Sequence, residues 1–191
     1  MLMRTLEARD FEDIEETFFS FFPEVEADPG FGLTLNRQKP TMEEEREWFS
    51  GLLKDVEAGN VLMIVAEVDS HAVGNCIVRR VRPGSPLDHR GSLGISIRKQ
   101  YRGKGIGTAL LRETIERCRG RFEILELTVF ATNPGARALY KRFGFKDYGH
   151  LPQAVKRAGI YIDEQLMYLR LGEGSSPSSR GSRCLPWLNS G

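Results

Sequence analysis

The chain has 191 residues, enough for one domain with a proper core and too few for two large ones. Hydrophobic residues make up 40% and charged residues 28%, an ordinary globular mix, and no apolar run nears the roughly 20 residues of a membrane-spanning helix. A net charge of +1 argues against a nucleic-acid binder that neutralises phosphates, and Cys76, Cys118 and Cys184 form no cluster suggesting a metal.

Taken in chain order, Thr5 to Asp10 reads as the end of a short first strand, and Asp10 as the N-cap of a helix to about Phe22. Pro23 and the stretch Ala27 to Gly32 are expected to break that helix. Thr41 with Glu44 makes a capping box for a second helix, striped by Trp48, Phe49, Leu52 and Leu53. Val61 to Val68 and Val73 to Val81 form a hairpin turning at Asp69, Ser70 and His71. After a Pro/Gly/Ser loop, Leu93, Ile95 and Ile97 alternate with Gly94, Ser96 and Arg98, which predicts another strand.

A glycine loop then leads into a helix over about Gly105 to Arg119, with Ile106, Leu110, Leu111, Ile115 and Cys118 at helical spacing. Ile124 to Ala131 is strand-like, and Asn133-Pro134 starts a helix to about Phe143 with the asparagine as its cap. Strand-like runs near Phe145 to Tyr148 and Tyr161 to Leu171 end a domain of residues 1–171. The Gly/Ser/Pro-rich stretch 172–191 is expected to be a flexible tail.

Charge is distributed unevenly. From Glu7 to Glu47 there are 13 Asp/Glu against 4 Lys/Arg, and from Arg79 to Arg157 there are 6 against 18. Two readings stand: a cationic ligand near the first third and an anionic one near the second, or solvated helix faces of different sign. Met1 to Glu7 lacks a signal-peptide core, so reduced thiols, a cytoplasmic location and no membrane partner are expected.

The segment Gln100-Tyr101-Arg102-Gly103-Lys104-Gly105-Ile106-Gly107-Thr108 lies between a predicted strand and a predicted helix. Glycines there let backbone N–H groups approach an anion, and the helix N-terminus adds positive dipole, so a pyrophosphate fits. No Walker A string occurs, and the GxGxxG pattern fails at Thr108, where a small residue belongs.

About 30 residues on, Asn133, Ala136, Leu139, Tyr140, Gly144 and Phe145 spell N-x-x-A-x-x-L-Y-x-x-x-G-F. With both motifs in this order, the sequence resembles the Gcn5-related N-acetyltransferase (GNAT) superfamily over roughly Met3 to Leu171. The resemblance implies an α+β fold with a central mixed, mostly antiparallel twisted sheet flanked by helices. It also implies acetyl-CoA as cosubstrate without a metal, and direct attack of a primary amine of unknown identity: a small molecule, a polyamine, or a peptide or protein amine. Gly103, Lys104, Gly105, Ile106, Gly107 and Thr108, with Arg102, would cradle the pyrophosphate. Ile95, Ser96 and Ile97 would pair with the pantetheine arm, and Asn133 would contact it. Tyr140 would protonate the departing thiolate.

The base is less clear from the resemblance. The strand position that holds a catalytic glutamate in ribosomal-protein acetyltransferases of the superfamily is Thr128 here. His89 is the candidate base by its intrinsic pKa, ahead of Glu126, Asp88, Asp163 and Glu164. One of Phe18, Phe19, Phe21 and Phe22 is expected to line the acceptor groove. A non-catalytic acyl-CoA-binding module of the same fold is the alternative, and a homodimer stays open.

Overall fold

The computed structural model describes residues 1–35 and 39–172; Cys184 and all of the expected tail but Gly172 lie outside them. Seven strands form one sheet, and four α-helices pack on its two faces. In chain order they are β1 (Leu2–Thr5), α1 (Phe11–Ala27), α2 (Met42–Glu57), β2 (Val61–Val68), β3 (His71–Arg80), β4 (Arg90–Ile97), α3 (Ile106–Cys118), β5 (Ile124–Phe130), α4 (Pro134–Arg142), β6 (Lys146–Arg157) and β7 (Ile160–Arg170). The sheet order is β1-β2-β3-β4-β5-β7-β6, and every neighbouring pair is antiparallel except β4 with β5. This is the mixed, mostly antiparallel α+β sheet that the sequence led us to expect.

Burial on both faces explains the continuous apolar run of β2. Leu62, Ile64 and Ala66 join a core with Leu110, Leu111 and Ile115 of α3. Val61, Met63 and Val65 join a second core with Ile14 of α1 and with Phe49 and Leu52 of α2. The predicted capping box is present, with Glu44 N–H donating to Thr41 Oγ1 and Thr41 N–H to the Glu44 carboxylate. The β2–β3 turn places Asp69 and Ser70 at φ of 51° and 67°, the backbone that suits a two-residue hairpin.

Three expectations need correction. The first strand is Leu2–Thr5, and the chain turns through a short 3₁₀ segment, Ala8–Asp10, before α1. Asp10 accepts from the two terminal guanidinium nitrogens of Arg4 at 2.7 and 2.6 Å, which ties this corner to β1. Pro23 does not end α1; the helix runs another turn to Ala27. A proline inside a helix loses the hydrogen bond of its own nitrogen and crowds the carbonyl four residues back, a cost of about 3 kcal/mol that other contacts can offset. Here buried Phe21 anchors that end of the helix, and Glu24 forms a bidentate pair with Arg102. β6 is a twelve-residue strand, because register shifts at Asp147/Gly149 and Leu151/Val155 interrupt its alternation and hide it from a period-two reading.

The parallel β4–β5 pair is short. Only Arg90↔Ile124, Gly91↔Leu125 and Ser92↔Glu126 are in register. Beyond Ser92 the two strands part, leaving the facing edges of Leu93–Ile97 and Leu127–Phe130 without strand partners. Gly91 permits the tight start of this pair, since a Cβ there would lie 2.5 Å from Val78 and 3.1 Å from Phe122. The sheet opens where these strands separate, and the site lies in that opening.

Candidate active site

The opening is a cleft of about 860 Å³. Its walls are Ile95, Ser96 and Ile97 of β4, Thr128 and Val129 of β5, the 102–108 loop, and Asn133, Ala136, Leu139, Tyr140 and Arg142 around α4. The α1–α2 loop passes over it through Asp28, Gly30, Phe31, Gly32 and Leu33. Arg157, at the end of β6, fixes that loop by donating to the carbonyls of Pro29, Phe31 and Leu33. Thr132 Oγ1 donates to Gly30 O at 2.8 Å from the other wall.

The glycine loop lies between β4 and α3, along one wall of the cleft. Gly103 and Gly105 have φ of 73° and 82°, and a Cβ on either would meet nothing within 4 Å, so both face open space. The N–H groups of residues 103 to 108 find no acceptor among the described residues. Six consecutive amides without acceptors at the N-terminus of α3 form a positive cradle, the environment a phosphate oxygen satisfies. Gly107 instead allows α3 to approach β4, because a Cβ there would be 3.2 Å from Ile97 Cδ1.

The side chains around the loop divide differently from expectation. The Arg102 guanidinium is spent within the fold: it donates to Glu24 at 2.6 and 2.7 Å and to Ile97 O at 2.8 Å. It also lies against the rings of Phe21 and Phe31, 5.6 and 5.1 Å from their centroids. Ile106 is buried in the core, and Lys104 sits beside Tyr101 away from the cleft wall, so both offer only backbone amides. Arg142, absent from the sequence reading, lines the mouth and donates to Thr108 Oγ1 at 3.1 Å. Its place three residues after Leu139, continuing the spacing of Asn133, Ala136 and Leu139 along one face, was the available signal.

Asn133 caps α4, its Oδ1 accepting from Ala136 N–H at 3.0 Å. That leaves its amide nitrogen beside Gly32 of the covering loop. Tyr140 is 6% exposed, stacks on Phe145 at 5.7 Å between centroids, and still reaches the cleft wall. Burial, and secondarily the nearby Cys76 thiol, raises its phenol well above the ordinary 10.0. The hydroxyl is therefore a proton donor throughout the neutral range.

His89 is not brought to the cleft. It precedes β4 at the paired end, where its carbonyl accepts from Glu123 and Ile124 N–H. Seven residues separate it from Ser96, about 20 Å along a strand. Glu126 pairs with Arg90, Asp88 with Arg80, and Asp163 with His150, while Glu164 is not on the cleft wall. Among the described residues, the carboxylate lining the cleft is Asp28, whose Oδ1 accepts from Gly30 N–H.

A second, smaller pocket of about 170 Å³ adjoins the first and shares Phe21 and Ser96 with it. Ile14, Thr17 and Phe18 of α1, Trp48 of α2, Met63 of β2, and Asn75, Ile77 and Arg79 of β3 complete its wall. Phe18 and Phe21 are thus the phenylalanines that line a groove, while Phe19 lies under Lys39. No helix among the described residues is long and apolar enough to cross a membrane.

Comparison with known proteins agrees with this geometry. The acetyltransferase (GNAT) family matches residues 11–145. The L-amino acid N-acetyltransferase AaaT of Escherichia coli (strain K12) is 29% identical over 169 residues, covering 87% of this chain and 96% of that protein. An L-methionine sulfoximine/L-methionine sulfone acetyltransferase of Pseudomonas paraeruginosa (strain DSM 24068 / PA7) is 25% identical over 125 residues, covering 65% of this chain and 71% of its own. Among solved structures, a phosphinothricin acetyltransferase from Sinorhizobium meliloti in complex with acetyl-CoA superposes with a TM-score of 0.77 at 22% identity, covering 97% of this chain and 95% of that one. Cleft, amide cradle and family match converge on one assignment: the chain belongs to the GNAT acetyltransferase family, whose members are acetyl-CoA-dependent acyltransferases.

Proposed function

We propose that this protein N-acetylates the α-amine of a small amino acid by direct transfer from acetyl-CoA. The observation that carries the reading is the position of the smaller pocket, which meets the cleft at Ser96 and Phe21. A compact acceptor in that pocket has its amine at the junction with the cleft. A pocket of about 170 Å³ suits a small molecule better than a folded protein surface. The amino acid acceptors in the names of two relatives support the same class.

Acetyl-CoA supplies an activated acyl group as a thioester. The free amides of residues 103–108 bind its phosphates, helped by Arg142 at the mouth. The unpartnered edge of Leu93–Ile97 offers backbone N–H groups that align the pantetheine arm as an added strand would. Those same donors stabilise negative charge on the carbonyl oxygen during attack. The Tyr140 hydroxyl gives its proton toward the leaving sulfur. Asp28, directly or through water, takes the proton that the acceptor ammonium must lose. The covering loop, held by Arg157 and Thr132, limits water at the reacting atoms.

The test is acetyl transfer across a panel of amino acids, polyamines, aminoglycosides and peptides, with products identified by mass spectrometry. N-acetylated amino acids as the dominant products support the reading. Dominant acetylation of peptides or polyamines would overturn the acceptor class while leaving the acetyltransferase assignment intact.

A further inference from the structure

β3 is apolar over most of its length, which makes two of its residues conspicuous. Asn75 and Arg79 lie on the face turned toward α1 and α2 and line the smaller pocket together with Ile77. Asn75 is only 8% exposed, yet its amide makes no hydrogen bond among the described residues. Its amide is not sealed in the core but open to the pocket, where a ligand can supply the partner the protein does not. Arg79 likewise has neither an ion pair nor a side-chain hydrogen bond among the described residues. Its neighbours are engaged: Arg80 binds Asp88, Arg90 binds Glu126, and Arg98 binds Asp13 and Glu16.

Two sets of unsatisfied donors thus border one small cavity whose remaining wall is mainly apolar. Of the other polar side chains there, Thr17 is engaged, Ser96 lies at the junction, and Trp48 is partly exposed to solvent. Thr17 Oγ1 accepts from Arg98 and donates to Asp13 O. Ser96 stands opposite Asn75 in the antiparallel register, where the pocket meets the cleft. A planar guanidinium and an amide N–H₂ on the same wall of the pocket, with Ile77 between them along the strand, offer donors suited to a carboxylate, which accepts through both oxygens.

We propose that Arg79 and Asn75 hold the α-carboxylate of the acceptor, orienting its α-amine toward Ser96 and making the enzyme selective for α-amino acids over simple amines. The side chain of the acceptor then lies against Phe18, Trp48 and Met63, favouring neutral, largely apolar amino acids. This proposal rests on the acetyltransferase reading above, and its test separates the two.

The experiment compares an amino acid that the enzyme acetylates with its carboxamide and with the amine lacking the carboxyl group. The carboxamide's α-amine is the weaker base, so the supply of free amine favours the carboxamide. A preference for the acid therefore reports recognition of the carboxylate. Wild-type enzyme should favour the acid by about 100-fold or more in kcat/KM, as sites built around a polar substrate group do. Arg79→Met should reduce that preference to within about threefold, mainly through KM of the amino acid, with KM for acetyl-CoA unaltered. Arg79→Lys should restore part of the preference, since the charge remains while the paired geometry is lost.

Asn75→Ala should weaken the acid less than Arg79→Met does. Calorimetric titration of the amino acid into CoA-loaded enzyme gives a readout independent of turnover, with binding to wild type and none to Arg79→Met. The wild-type comparison needs no variant to fold. Equal use of acid and carboxamide by wild type, or a preference that survives Arg79→Met, would overturn the carboxylate site and leave acetyl transfer standing. Failure of wild type to acetylate any amino acid would instead remove the reading beneath it.

Discussion

Tyr140→Phe removes one oxygen and leaves the ring where it packs. The hydroxyl has no hydrogen-bond partner among the described residues, so its loss strands no protein group. The ring keeps its stack on Phe145 and its 6% exposure, and stability should change by less than about 1 kcal/mol. Chemistry should change far more. A positioned general acid contributes about 100- to 10,000-fold, or roughly 3–5 kcal/mol of the barrier. The expected result is a fall of that size in kcat, with KM for acetyl-CoA little altered and the melting temperature nearly unchanged. The assay is initial-rate product formation by mass spectrometry, with calorimetric titration of CoA as the binding control. Because burial holds the phenol above its ordinary value, wild-type kcat should show no loss of this acid as pH rises to about 10. A variant retaining more than about a third of wild-type kcat would refute the assignment of Tyr140 as the acid.

Asp28→Asn keeps the oxygen that accepts from Gly30 N–H but removes the carboxylate. It should lower kcat/KM about tenfold or more near neutrality, with a deficit that shrinks at high pH as the amine arrives deprotonated; a deficit constant with pH would exclude the proton-accepting role. Gly105→Ala adds a Cβ that meets nothing, so its penalty is the left-handed backbone, about 1–2 kcal/mol. In a domain of this size that is a drop of about 2–8 °C in melting temperature, with a raised KM for acetyl-CoA, and an unchanged KM would argue against the amide cradle. Arg142→Ala should raise KM for acetyl-CoA about tenfold at low salt and much less at high salt, measured by initial rates. Burial pushes the Cys76 and Cys118 thiols up to about 12 from 9.0. The folded state thus keeps protons that the unfolded chain would release above pH 9, and stability present below that pH is lost as it rises toward 12. Each thiol contributes on the order of 1 kcal/mol per pH unit to the decline, which Cys76→Ala or Cys118→Ala should lessen in denaturant titrations.

What the sequence revealed was mostly local. The Thr41–Glu44 box, the Asn133–Pro134 start of α4 and the glycines before α3 are each written within a few residues and appear as read, while the turn read at Asp69 to His71 is tighter, with His71 already in β3. The split between β4 and β5 is a fact of register between distant segments, and no local pattern encodes it. β6 was concealed by its own irregularities, and Pro23 misled because a distant arginine stabilises the turn beyond it. The sites show the same division. Motif residues such as Tyr140 and Asn133 fell on the cleft wall, whereas His89 had a suitable pKa but belonged to the wrong end of its strand. Asn75 and Arg79 could be read as polar breaks in an apolar run, but their common cavity depends on α1 and α2 packing over β3.

The uneven charge along the chain can now be assigned to causes. Many carboxylates of the acidic first third do not face a ligand: Asp10 holds Arg4, Asp13 and Glu16 hold Arg98, and Glu24 holds Arg102. Three of the six acids of α1 thus fasten the helix to the residues that follow β4. That use makes the exceptions informative. Of the three arginines lining the two pockets, Arg102 is neutralised by Glu24, while Arg79 and Arg142 have no carboxylate partner among the described residues. Arg142 stands beside the amide cradle, where the proposed function sets it against the phosphates of acetyl-CoA, so the charge left uncompensated near the junction is that of Arg79 in the smaller pocket. An acceptor carrying only positive charge, such as a polyamine, meets an unfavourable field there. A zwitterion can place its carboxylate at Arg79 and still bring its amine to the thioester. Under the proposed function the charge of Arg79 thus adds to the preference for an amino acid over a polyamine.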